Sequence, residues 1–135
     1  MLKQGIGALA IVFVLLPFGT PAFGHHSFAA IFDKEQPITV TGVINKVDWK
    51  NPHMYFYVDV TEASGEVVTW GFESYPPTMM IRQGWARDTV NPGDPVTVTG
   101  WRARRGSRPV AGGNRMTLAD GTVMTIGASS EGDNR

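Results

Sequence analysis

An all-β fold is predicted by three features of the sequence. Short runs of β-branched and aromatic residues alternate with polar ones, turn residues separate the runs, and one short helical stretch is framed by prolines and a glycine. Residues 38–49 (ITVTGVINKVDW) form the first predicted strand, with Gly42 as a bulge where the alternation slips. Asn51-Pro52 is a turn signal, because proline fixes φ and drives the preceding residue to an extended shape. Residues 53–60 (HMYFYVDV) alternate cleanly. Met54, Phe56, Val58 and Val60 share one face, and His53, Tyr55, Tyr57 and Asp59 share the other.

Ala63-Ser64-Gly65 turns the chain into a third strand, VVTWGFE. Pro76-Pro77-Thr78, then MMIRQ and Gly84, read as a short helix with prolines at its start and glycine at its stop. Asn91-Pro92-Gly93-Asp94 is a turn, and residues 96–104 (VTVTGWRAR) a fourth strand. Residues 105–113 read as a Gly- and Arg-rich loop, and residues 116–118 and 122–126 as a final hairpin. The order β-β-β-α-β-β is that of a small five- or six-stranded OB-fold-like barrel, with its helix after the third strand. An immunoglobulin-like sandwich needs about seven strands and no such helix.

The full chain has 135 residues, twelve Lys+Arg, twelve Asp+Glu and no cysteine. That length suits one domain. The missing cysteine excludes disulfides, thiolate metal sites, iron–sulfur ligation, a cysteine nucleophile and a lipid-anchored cysteine. Net charge zero gives no support for a nucleic-acid partner.

Residues 1–24 read as an export signal. Lys3 gives a positive start, residues 6–16 (IGALAIVFVLL) are apolar, and Ala22-Phe23-Gly24 supplies small residues for a signal peptidase. The apolar run is too short for a membrane span, which needs about 20 residues. Cleavage near Gly24/His25 would leave a periplasmic or secreted domain over residues 25–128 with a disordered tail at 129–135, and no membrane span. Only Lys3 is lost from the charges, so the 111 residues left from 135 carry eleven positive against twelve negative groups.

The histidines carry the most chemical information. There are three: His25, His26 and His53. Cleavage after Gly24 makes His25 the N-terminal residue, whose α-amine and ring Nδ1 chelate one metal ion. A second imidazole completes a T-shaped three-nitrogen site. Nitrogen ligation in tetragonal geometry favours Cu(II), so copper is the expected cofactor, with His25, His26 and His53 as the candidate ligands. His53 is the better partner, because neighbouring residues such as His25 and His26 do not easily converge in an extended chain. Cleavage after Ala22 instead places His25 third, where the amine, two backbone nitrogens and the imidazole bind Cu(II) in a square plane. A purely structural role for each histidine, such as capping a turn or satisfying a carbonyl, competes with this reading.

The start HHSFAAIFD, the segment VDWKNPHMYFYVDV, the VTWGFE strand, RQGWARD and GDPVTVTGWRAR together resemble the small exported bacterial proteins grouped as domain of unknown function 6152. The resemblance runs from His25 to about Ile126. Its most specific parts are the HHSF start and the W-x-N-P-H element from Trp49 to His53. It implies an exported single-domain β-barrel and brings no activity with it. This chain departs from the resemblance after the WRAR strand, where Arg105, Arg108 and Arg115 replace an Asn- and Gly-rich stretch.

A second candidate site is aromatic and basic. Trp49, Trp70 and Tyr55 offer a platform, and Arg102 and Arg105 lie in the stretch that flanks the usual OB binding face. The expected ligand there is a periplasmic protein, peptide or glycan, since export argues against nucleic acid. The competing role is core packing for the tryptophans and solvated loop for the arginines. Glu73 and Asp59 are the carboxylates nearest the presumed histidine site. No paired carboxylates, nucleophile elbow or phosphate loop appear, so no catalytic residue is assigned and an enzyme is disfavoured. A copper oxidase or oxygenase ranks last, for want of a substrate groove.

Overall fold

The computed structural model describes residues 28–106 and 109–128. Residues 1–27, among them the expected export signal, His25 and His26, and residues 129–135 lie outside them. The elements in chain order are α1 (Phe28–Ile31), β1 (Phe32–Asp48), β2 (Tyr55–Thr61), β3 (Val67–Glu73), α2 (Pro77–Arg82), β4 (Pro95–Ala103), β5 (Val110–Thr117) and β6 (Val123–Thr125).

Strand order is β3-β2-β1-β4-β5-β6, and β3 also pairs with β5. That extra pairing is parallel, at Gly71↔Val110, Phe72↔Ala111 and Glu73↔Gly112. It closes β1, β2, β3, β5 and β4 into a ring, the OB-like barrel expected from the order of elements. β1 can serve both halves because it is 17 residues long. Its first part pairs with β4, from Phe32↔Ala103 to Val43↔Pro95, and its second with β2, from Val43↔Asp59 to Asp48↔Tyr55.

Alternation on β2 sets the inside. Met54, Phe56 and Val58 are fully buried, while Tyr55 and Tyr57 are only half-buried. Ile44, Phe72, Val98, Ala111, Met116 and Ile126 meet them in one cluster, which Met80 of α2 and Trp85 just after it also join. Each such large apolar side chain contributes about 1.5–3 kcal/mol by leaving water. Trp85 is also tied to the barrel, its Nε1–H donating to the Thr125 carbonyl at 2.9 Å. α2 starts on Pro76-Pro77 and stops before Gly84, whose φ of 89° suits glycine.

Four expectations are corrected. The loop of 105–113 is shorter, because β5 begins at Val110. Gly112 and Gly113 belong to a strand and not to a flexible loop: a Cβ on Gly112 would meet Phe28 and Phe32, and one on Gly113 would meet Ile126. β1 begins at Phe32, six residues before the expected start at Ile38. The β1–β2 irregularity falls between Ile44 and Lys46, so the bulge is at Asn45 and not at Gly42. Gly42 is needed for another reason, since a Cβ there would land on the Asp59 backbone carbonyl. A second short helix, α1, also precedes the barrel.

α1 is held by side chains that lie apart from the main cluster. Phe28 packs on Phe32 at 4.8 Å and edge-on to Trp101 at 5.4 Å between ring centroids. Phe32 and Trp101 are both buried. Arg104 completes the clasp. Its Nε donates to the Ala29 carbonyl at 2.8 Å, its backbone N–H to the Ile31 carbonyl at 2.8 Å, and its Nη2 lies 3.3 Å from Asp33 Oδ1.

Candidate functional site

β2 and β3 bring a histidine, a carboxylate and a phenol together on the outside of the barrel. The ladder ends at Tyr55↔Glu73 but its hydrogen bonding continues one step further. The Ser74 N–H donates to the Met54 carbonyl at 2.9 Å and the Met54 N–H to the Tyr75 carbonyl at 3.2 Å. His53, two residues before β2, is thereby held beside Ser74. Its Nδ1 lies 3.0 Å from the Ser74 carbonyl oxygen. That oxygen only accepts, so Nδ1 carries the proton and donates it. In the neutral ring the remaining lone pair is then on Nε2.

Nε2 lies 3.7 Å from Glu73 Oε1. The other carboxylate oxygen, Oε2, accepts a 2.5 Å hydrogen bond from the Tyr55 hydroxyl. Burial first, then that hydrogen bond and the Glu73 charge, push the Tyr55 phenol well above its ordinary range, so the hydroxyl keeps its proton. The side chains of His53 and Glu73 are 41% and 19% exposed, which leaves the pair open to an ion from solvent.

Around this trio the surface is aromatic and charged. Tyr55 and Tyr57 stack at 6.3 Å. Lys50 lies 5.8 Å over the Tyr55 ring and Lys46 lies 5.6 Å over the Tyr57 ring. Both lysines reach Asp48, at 3.4 Å and 2.7 Å. The hydrogen bond from Lys46 is the main cause that holds the Asp48 carboxyl below its usual range.

Phe28 of α1 lies on the strand next door. Gly112 is registered with Glu73, and the Phe28 ring covers Gly112. Phe72 and Ala111, the preceding pair, face the core, so Glu73 and Gly112 both face outward.

The other residues read from the sequence are placed as follows. Tyr55 joins His53 through Glu73. Trp70 is 8% exposed within the core cluster, and Arg102 lies 5.2 Å over its ring. Trp49 packs against the same core and carries Arg87 at 5.4 Å. Arg105 is exposed. Asp59 is engaged by other residues, accepting from Asn45 Nδ2 at 2.8 Å and Thr69 Oγ1 at 2.6 Å. His25 and His26 fall outside the described residues. Among the described residues no group of three or more His, Asp or Glu side chains converges on one point.

Sequence reasoning missed the Ser74 carbonyl and the clasp on α1. Only the second had a signal, two phenylalanines four apart directly after the paired histidines. A shallow depression of about 260 Å³ lies elsewhere, between Val90, Val96 and Leu118. Its carboxylates, Asp94 and Asp120, are each already bonded to a backbone N–H, of Asn91 and Thr122 respectively.

A family model described as a family of unknown function (DUF6152) matches residues 13–114, and the chain belongs to that family. The match begins inside the apolar run of residues 6–16 and ends within β5. Neither the curated proteins nor the solved structures include a match to the chain.

Proposed function

We propose that this member of the DUF6152 family is an exported, periplasmic Cu(II)-binding protein, with the ion held between His53 and the mature N-terminal His25, and His26 adjacent. The observation that carries the reading is the contact of the His53 ring with the Ser74 carbonyl oxygen. Its Nδ1 is committed to the Ser74 carbonyl, which leaves Nε2 as a metal donor of defined direction. A tether length supports the partner. An extended chain covers about 3.3–3.6 Å per residue, so His25 is leashed within roughly 10 Å of Phe28. Phe28 itself sits on the strand beside Glu73. Imidazole and amine nitrogens with no thiolate suit Cu(II) in tetragonal geometry.

Two measurements on the exported protein test this. Its intact mass, with and without added Cu(II), gives the cut site and the stoichiometry; one ion per chain starting at His25 is expected. His25→Ala, His53→Ala and an extra residue before His25 should each weaken binding strongly. Unchanged affinity in all three would overturn the reading. A chain starting at Phe23 would move the ion to the amine, two amide nitrogens and His25, and His53→Ala would then be silent.

The stacked Tyr55 and Tyr57 rings, each with a lysine over it, favour a second reading. In it the barrel is a metal-free module that holds a periplasmic protein, peptide or glycan on its outer face. Replacing all three histidines would then leave capture of that partner intact.

A further inference from the structure

We propose that residues 28–33, which are α1 with Phe32 and Asp33, form a strap that opens and closes on the barrel as a unit of its own, with Arg104 as its latch. Opening uncovers Trp101 and the outer side of Gly112, an apolar strip beside Glu73. The strap is independent of the copper reading above.

The packing separates the strap from the barrel. Phe28 packs on both Phe32 and Trp101. None of these three rings belongs to the cluster that Phe56, Phe72 and Val98 build inside the barrel. They form a small aromatic group of their own on the outside of β4 and β5, where Gly112 leaves room for the rings of Phe28 and Phe32. The strap can therefore leave while the main core stays closed.

The chain path supplies a hinge. Phe32 is registered with Ala103 and Pro37 with Trp101, so residues 33–36 arch out of the β1–β4 ladder opposite Arg102 alone. Asp33 closes the arch on itself, accepting from the Glu35 N–H at 3.2 Å and from Gln36 Nε2 at 3.0 Å. Lys34, Glu35 and Gln36 are exposed, so the arch can change shape without disturbing packed neighbours.

α1 does not stand by itself. It has four residues and none of them is buried, whereas an isolated helix shorter than about 12–15 residues is marginal in water. Among the described residues, the Phe28 ring and Arg104 hold it. Arg104 grips the strap at three points: its Nε–H donates to the Ala29 carbonyl, its backbone N–H donates to the Ile31 carbonyl, and its Nη2 reaches Asp33 at the hinge. The Arg104 side chain is 45% exposed, so water competes for its side-chain bonds and salt screens the ion pair. A segment with few buried contacts and solvent-reached hydrogen bonds opens at a free energy well below that of global unfolding. Trp101 is 5% exposed under the closed strap and loses that cover when Phe28 and Phe32 leave together. Gly112 is registered with Glu73, so the surface next to the His53–Glu73 pair then turns apolar and open.

Native-state hydrogen exchange in low urea tests the strap on the unaltered protein. The reporter is the Arg104 amide, whose acceptor, the Ile31 carbonyl, belongs to the strap. The references are the amides of Gly71 and Ile126, which donate to the Pro109 and Asn114 carbonyls within the barrel. The Arg104 amide should exchange at least about 100-fold faster than these, with little dependence on urea, because opening the strap exposes little surface. Salt at about 1 M should speed it further. Arg104→Ala should accelerate it by about 10–100-fold and make Trp101 more quenchable by acrylamide, with the references unchanged; Trp101→Phe assigns the quenching signal.

An Arg104 amide that follows the references in rate and urea dependence would overturn the strap, since residues 28–33 would then open only with the barrel. Unchanged exchange in Arg104→Ala overturns the latch. Faster exchange without added quenching of Trp101 means that the two phenylalanines stay in place, and overturns the uncovering. The first comparison is read on the unaltered chain, so an Arg104→Ala protein that fails to fold does not blunt it. The salt response of the same chain then decides the latch: exchange that ignores salt counts against it.

Discussion

The ring of Phe28 fills the space that a side chain at position 112 would occupy: a Cβ on Gly112 would lie 2.6 Å from Phe28 Cε2 and 2.8 Å from Phe32 Cδ2. The absent side chain is thus the socket for the segment that follows the paired histidines. Gly112→Ala should expel Phe28, since Phe32 is buried and has nowhere to go. Overpacking of this kind costs about 1–3 kcal/mol. Urea unfolding should show that loss, and amide exchange in residues 28–31 should accelerate. Wild-type stability together with wild-type exchange in α1 would refute the socket.

Alkaline pH should find Tyr55. Burial, the Glu73 hydrogen bond and the Glu73 charge raise its phenol from an ordinary 10.0. The folded state therefore prefers the neutral phenol more than the unfolded chain does. The stability this confers is complete below about pH 10 and is lost as pH climbs from there through the raised value. Urea midpoints measured from pH 8 to 12 should fall more steeply above pH 10 for the wild type than for Tyr55→Phe. Parallel curves would show that the fold does not hold back the ionisation of Tyr55.

Two glycines should respond to alanine for different reasons. At Gly42 a Cβ lands on the Asp59 carbonyl of the next strand, and backbone cannot step aside as a side chain can. At Gly121 the surroundings are empty and only the φ of 87° objects. Gly42→Ala should therefore cost about 3 kcal/mol, and Gly121→Ala about 1–2 kcal/mol. Thermal or urea unfolding of the pair checks the order; a reversed order would mean that β1 and β2 can part at Gly42.

Periodicity made β2 and β3 legible, because their faces differ in polarity and every second residue enters the core. The two prolines and Gly84 marked α2 for the same local reason. The start of β1 was hidden, since residues 34–37 are exposed and the β1–β4 register is irregular between Phe32 and Pro37. β5 was hidden by Gly112 and Gly113, which read as loop residues and serve instead as close-contact positions. At the site, His53 could be named from sequence, with Glu73 and Asp59 as its two nearest carboxylates. The orientation of His53 and Glu73 could not, because it depends on the Ser74 carbonyl and the Tyr55 hydroxyl, which only the register of β2 against β3 brings into range.

The double use of β1 also sets an order for folding. Its contacts to β2 are local, with Asn45 meeting Asp59 across 14 residues, and β2 in turn meets β3 locally, with Thr69 reaching Asp59 across 10. On the other side of β1 Thr41 meets Thr97 across 56 residues. Closing the longer loop costs more chain entropy, and contacts of high sequence separation slow folding. The β1–β2–β3 meander can thus assemble early, with the His53–Glu73 pair already in register, while the β4 seam waits for the rest of the chain. Pulse-labelled amides on β2 and β3 should gain protection before those on β4, and simultaneous protection would mean that the barrel closes in one step.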